Sequence, residues 1–91
     1  MGYEVTANIN SIVLLLATQA MINMGEIQDP ITGQRRDDMQ GALVFLQLLD
    51  VLETKTKQNL TPEEATFMAE VKENLDKIYN KKYFSGTKYE S

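Results

Sequence analysis

Asp50 and Glu53 stand three residues apart, so a helix through them would set two carboxylates side by side, a pairing that acid–base chemistry uses. The adjacent Asp37 and Asp38 offer a second acidic pair. A proton-transfer role for either would need one carboxylate buried with a raised pKa. A third set is Gly33, Arg35 and Arg36, where backbone amides and guanidinium groups would hold an anion. No glycine-rich loop of phosphate-binding spacing accompanies them.

The chain has 91 residues with no His and no Cys, which removes thiolate nucleophiles, disulfides, zinc sites and the side chain best suited to proton transfer near neutral pH. Metal–carboxylate bundles need inward Glu and usually His. Simpler roles suit the three sets better: a solvated helix face for Asp50 and Glu53, a helix cap for Asp37 and Asp38, and a chain reversal around Gly33. No catalytic, metal or cofactor-binding residue is therefore expected, and the protein is expected not to be an enzyme.

The elements that must carry these residues are helical. An apolar segment runs from Ile9 to Met24, with Asn8, Asn10 and Ser11 as candidate N-caps and Gly25 placed to end it in a left-handed conformation. Its apolar positions spread far beyond the roughly 100° stripe of a surface helix, so one partner helix cannot hide them all. Asp29-Pro30 and Thr32-Gly33 then punctuate a structured connection.

A second helix over about 37–56 is capped by Asp37 and Asp38 and is again apolar over a wide arc, with Gln40, Gln47, Asp50 and Thr54 marking a narrow wet face. Gly41 is costly there unless it permits close approach of another helix. Asn59 is expected to be a left-handed turn residue. Thr61, Pro62 and Glu64 then form a capping box with proline at the first helical position, opening a third helix over about 62–80.

Along that third helix Phe67, Met68, Val71, Leu75 and Ile78 make one apolar stripe. Lys72 with Asp76 and Glu73 with Lys77 stand at pairing distance on the other side. Tyr79 and Tyr83 would extend the packed stripe by a turn. The expected architecture is one all-α domain of three helices spanning 1–91, with residues 1–8 and 85–91 frayed.

A net charge of −4 and only paired cations, Arg35-Arg36 and Lys81-Lys82, argue against nucleic acid and anionic lipid as partners. The apolar segment of 16 residues is about 24 Å long as a helix, short of a membrane core of about 30 Å. The first eight residues carry no Lys or Arg, so no signal-peptide n-region is read and a cytoplasmic location is expected.

Four segments carry a resemblance: Ala20-Met21-Ile22-Asn23-Met24-Gly25, Ile27-Gln28-Asp29-Pro30-Ile31-Thr32-Gly33, Leu48 through Thr56, and Asn59-Leu60-Thr61-Pro62-Glu63-Glu64. Together they resemble a family of small bacterial proteins catalogued as domain of unknown function 1844, over roughly residues 8–83. The resemblance implies a small bacterial helical protein and no established activity. Family members often carry a His where this chain has Asn23, so any role of that His does not transfer.

Two wide apolar helices in so short a chain point to association. The expected function is a noncatalytic, self-associating helical protein, a homodimer or higher, with Leu14, Leu15, Val44, Leu48 and Leu52 in the shared core or interface. The alternative is an apolar groove that binds another protein's helix or a small apolar ligand.

Overall fold

The computed structural model describes residues 8–87, with side chains to Tyr83; the expectations for residues 1–7 and 88–91 lie outside the described residues. Three helices follow in order, α1 (Ile9–Asn23), α2 (Met39–Thr56) and α3 (Pro62–Thr87), as the all-α expectation required.

α1 starts where Asn8 adopts an extended backbone and its Oδ1 accepts from the Ser11 amide at 3.1 Å, while Ser11 Oγ accepts from the Asn8 amide at 3.3 Å. It stops at Gly25, whose φ of +82° favours glycine. The Glu26 amide reaches back to the Met21 carbonyl at 2.9 Å and the Gly25 amide to Ile22 at 3.0 Å, which closes a Schellman motif. A Cβ on Gly25 would also stand 2.6 Å from the Arg36 carbonyl oxygen, so the returning chain itself requires glycine.

The connection is a tight reversal. The Asp29 amide donates to the Gln34 carbonyl at 2.8 Å, and Asp29 Oδ1 accepts from the Ile31 amide at 2.8 Å. The chain then returns to α1, where the Asp38 amide donates to the Asn23 carbonyl at 2.8 Å. α2 consequently begins where α1 ends, and the two run antiparallel.

Asp38 is the N-cap of α2, accepting from the Gly41 amide at 2.8 Å, and Asp37 lies outside the helix. At the far end the expected left-handed Asn59 does not occur, since no described residue other than glycine has positive φ. α2 instead ends through Lys57 in right-handed geometry, with the Asn59 amide on the Thr56 carbonyl at 2.8 Å. The tighter turn needs no left-handed residue.

The capping box of α3 is present as expected: Thr61 Oγ1 accepts from the Glu64 amide at 3.1 Å, and Glu64 Oε1 accepts from the Thr61 amide at 2.9 Å. The helix runs to Thr87, a turn and more beyond the expected end near residue 80 and through the residues 85–87 expected to fray. Two features account for it. Nothing from Asn80 to Ser85 breaks a helix, and the Tyr79 and Tyr83 rings stack with centroids 6.2 Å apart.

The core is narrow. Val13, Ala17, Ala20 and Met24 of α1 meet Ala42, Leu46 and Leu49 of α2, and Met68 and Leu75 of α3 close them from one side. Three alanines at the α1–α2 contact let those helices come close, and burying each large member contributes about 1.5–3 kcal/mol. The expected α3 stripe is confirmed, with Phe67, Val71 and Ile78 partly buried around its two buried residues. The molecule is long and flat, 49 × 33 × 16 Å, and its radius of gyration of 15.1 Å exceeds the roughly 12–13 Å of a globular chain this size.

Candidate functional site

The core stripe of α2 is Ala42, Leu46 and Leu49, at steps of four and three; Val44, Leu48 and Val51 follow the same steps about half a helical turn away. They are therefore aimed outward, and all are exposed. On α1, Ile12 and Leu15 likewise stand off the buried Val13–Ala17–Ala20 stripe, and Leu15 is 66% exposed. These five residues give the hairpin of α1 and α2 an apolar outer surface. α1 contains no Asp, Glu, Lys or Arg at all.

Of the five residues assigned to core or interface from the sequence, Leu14, Leu15, Val44 and Leu48 are exposed, while Leu52 packs against the core. Leu14 faces a different way from Leu15. With Thr18 and Met21 it lines a groove of about 500 Å³ whose other wall is Val71, Leu75 and Ile78 of α3. Ile12 falls in the apolar segment from Ile9 to Met24 expected to need more than one partner, whereas Val51 was not assigned to core or interface from the sequence, although the repeat of Val44, Leu48 and Val51 opposite Ala42, Leu46 and Leu49 was the signal that could have found it.

Asp50 and Glu53 do stand together on α2, but a cation from α3 occupies the space between them. The Lys72 ammonium lies 2.7 Å from Asp50 Oδ1 and also bonds Glu53 Oε1. The expected Lys72–Asp76 pair is not made, because Lys72 sits at the α2–α3 seam rather than on the outer face. Glu73 and Lys77 do approach, at 3.7 Å. Asp50 is 63% exposed at its side chain, so this cluster offers a neutralised, wet carboxylate and not a buried one. Burial is the largest influence on Lys72 and lowers its pKa, but the hydrogen bonds and negative charges of Asp50 and Glu53 together more than offset it, and the net shift is upward.

Gly33 does not join the arginines. It lies in the reversal at φ +74°, and its amide is already bonded to the Asp29 carbonyl at 2.7 Å. Arg35 and Arg36 instead turn back toward the end of α1, where Arg35 Nη1 donates to the Gly25 carbonyl at 2.8 Å. There they share a cleft of about 690 Å³ with Lys81 and Lys82 of α3, with Met24 and Ile78 among its walls. No local signal could reveal this, since the two cation pairs lie more than forty residues apart.

Beside that cleft, Asn23 is 3% exposed and its Oδ1 accepts no hydrogen bond from any described residue. Among the described residues, no group of three or more His, Cys, Asp or Glu could hold a metal ion, and no helix is long and apolar enough to cross a membrane.

Fold and surface thus define a small three-helix protein with an exposed apolar face on its α1–α2 hairpin. The chain belongs to the family described as domain of unknown function (DUF1844), which it matches over residues 6–79, from just before α1 into the third quarter of α3. No curated protein and no solved structure matches it.

Proposed function

We propose that the protein is a noncatalytic, self-associating helical module, which packs the outer face of its α1–α2 hairpin against the same face of a second copy. The observation that carries this is the row of exposed Ile12, Leu15, Val44, Leu48 and Val51 on a surface where monomers normally place charge.

Two arguments select a second copy as the occupant. The first is size: two adjacent helices of about 25 Å, side by side at about 10 Å, present on the order of 500 Å² in projection. That is comparable with the about 800 Å² of accessible surface that each partner contributes to a stable interface. The second is charge. The chain carries a net −4, so copies repel one another over most of their surface, whereas the uncharged α1 brings no like charges together. A twofold pairing is the simplest closed arrangement.

Light scattering on the full chain tests the proposal. At micromolar concentration the mass is expected at twice 10.3 kDa or a higher multiple. A monomeric mass there overturns it.

The groove between α1 and α3 favours a second reading, an apolar-groove binding module for a small apolar ligand. Its volume of about 500 Å³ falls within the range of about 300–1,000 Å³ typical of small-molecule sites. Native mass spectrometry separates the two readings: a monomer carrying a bound small molecule supports the groove, and a bare multimer supports self-association. We further propose a bacterial, cytoplasmic setting: the resemblance of the loop and capping segments to a bacterial family supports the first, and subcellular fractionation tests the second.

A further inference from the structure

Arg35-Arg36 and Lys81-Lys82 are two isolated pairs along the chain, yet the fold brings them to the two walls of one cleft. The Schellman turn at Gly25 and the reversal at Asp29–Gln34 direct the arginines back over the end of α1. The continuation of α3 past residue 80 carries the lysines up to meet them. The lining holds those four cations against Glu26 and Asp37, an excess of two positive charges in a chain whose net charge is −4.

Part of that charge is engaged. Lys82 pairs with Glu26 at 3.1 Å, and Arg35 holds the Gly25 carbonyl at 2.8 Å, which fixes the arginine wall in place. The remainder is available. Arg36 reaches Asp38 only at 3.8 Å, an exposed contact, and the Lys81 ammonium pairs with no described carboxylate. The weakly held Arg36 guanidinium comes from the loop and the Lys81 ammonium from α3, and Met24 and Ile78 add apolar lining.

We infer that this cleft, between the loop after α1 and the last turns of α3, is a binding site for a small molecule bearing a phosphoryl group, held between Arg36 and Lys81. A phosphoryl group carries about −1.5 to −2 charges at neutral pH, and the lining's excess of two positive charges, reduced to one when Asp38 beside Arg36 is counted, favours such an anion. Its oxygens diverge, so one group can accept from both walls at once, a planar fork on one side and a point charge on the other. The volume of about 690 Å³ leaves room for an organic portion against Met24 and Ile78.

The test is a titration of the full chain with inorganic pyrophosphate at low salt, followed by backbone amide shifts. Saturable shifts are expected below about 1 mM ligand, confined to residues around Gly25, Arg36 and Lys81. The double variant Arg36→Gln with Lys81→Gln is expected to bind about tenfold more weakly or worse while keeping its helical circular dichroism. Lys55→Gln with Lys57→Gln makes the same change in net charge at the far end of α2, and is expected to bind as the parent does. The proposal is overturned if pyrophosphate produces no saturable shifts, if both double variants lose affinity equally, or if citrate binds as tightly as pyrophosphate. Retained affinity in the Arg36/Lys81 variant overturns it as well.

Discussion

The Lys72 ammonium of α3 lies 2.7 Å from the Asp50 carboxylate of α2. Glu53 bonds the same ammonium from one turn further along, so a single cation ties two helices together through both carboxylates of a pair. That arrangement turns the most enzyme-like feature of the sequence into a structural clasp.

The clasp has a pH signature. With the Lys72 pKa raised in the folded chain, its contribution to stability is fully present below the unfolded value of about 10.5 and is lost as pH rises through the higher folded value. Lys72→Met should cost about 0.5–1 kcal/mol at pH 7, because Asp50 and Glu53 are exposed enough to stay solvated without it. Urea midpoints of parent and variant should converge as the pH rises above the unfolded lysine value. A difference that stays constant over that rise would show that the lysine stem, not its charge, supplies the stability.

Leu15→Asp should separate association from folding. Leu15 is 66% exposed in one chain, so a carboxylate there meets water when the chain is alone and is buried only when the proposed face is covered. The expected outcome is a fall to monomer mass in light scattering with the helical circular dichroism retained. Leu49→Ala, in the core, should instead cost about 2–5 kcal/mol in the same chain.

Gly41→Ala should destabilise despite alanine's better helix propensity. The new Cβ would collide with the Asp38 carboxylate, coming 2.8 Å from its Cγ, and would stand 3.0 Å from Nδ2 of the buried Asn23. Displacing the cap cancels the gain of about 1 kcal/mol in propensity, and the new Cβ also crowds Asn23, which is 3% exposed. A net loss of about 1 kcal/mol by chemical denaturation is expected. An increase in stability would mean that Asp38 swings aside and another group caps α2.

Thr61→Ala removes one half of the α3 capping box and should cost about 1 kcal/mol. Thr61→Ser keeps the hydroxyl and should restore most of it. Thermal melts at one fixed protein concentration read both, since coupling to association makes the midpoint depend on concentration.

Local chemistry was legible in the sequence. Thr61 with Glu64 caps α3, Gly25 ends α1, and the Asp29–Gly33 stretch reverses the chain, because each depends on contacts within a few residues. The helix count and the 3.6-residue stripe of α3 followed from the same short-range rules. So did the excess of apolar surface on α1 and α2, which is a property of composition and period alone.

Which of those apolar residues face solvent was decided only by the tertiary structure. Leu15 and Leu16 are neighbours of the same type, yet Leu15 is exposed and Leu16 packs at the core edge, since a helix turns 100° per residue and only the position of α2 and α3 says which direction is inside. Lys72 looked equally suited to Asp76, one turn away, until α2 brought Asp50 and Glu53 closer. The same holds for the cleft. Sequence determined that this chain has two separate cation pairs, and the long-range return of α3 against the end of α1 decided that they share one space, because charges more than forty residues apart interact only through the fold.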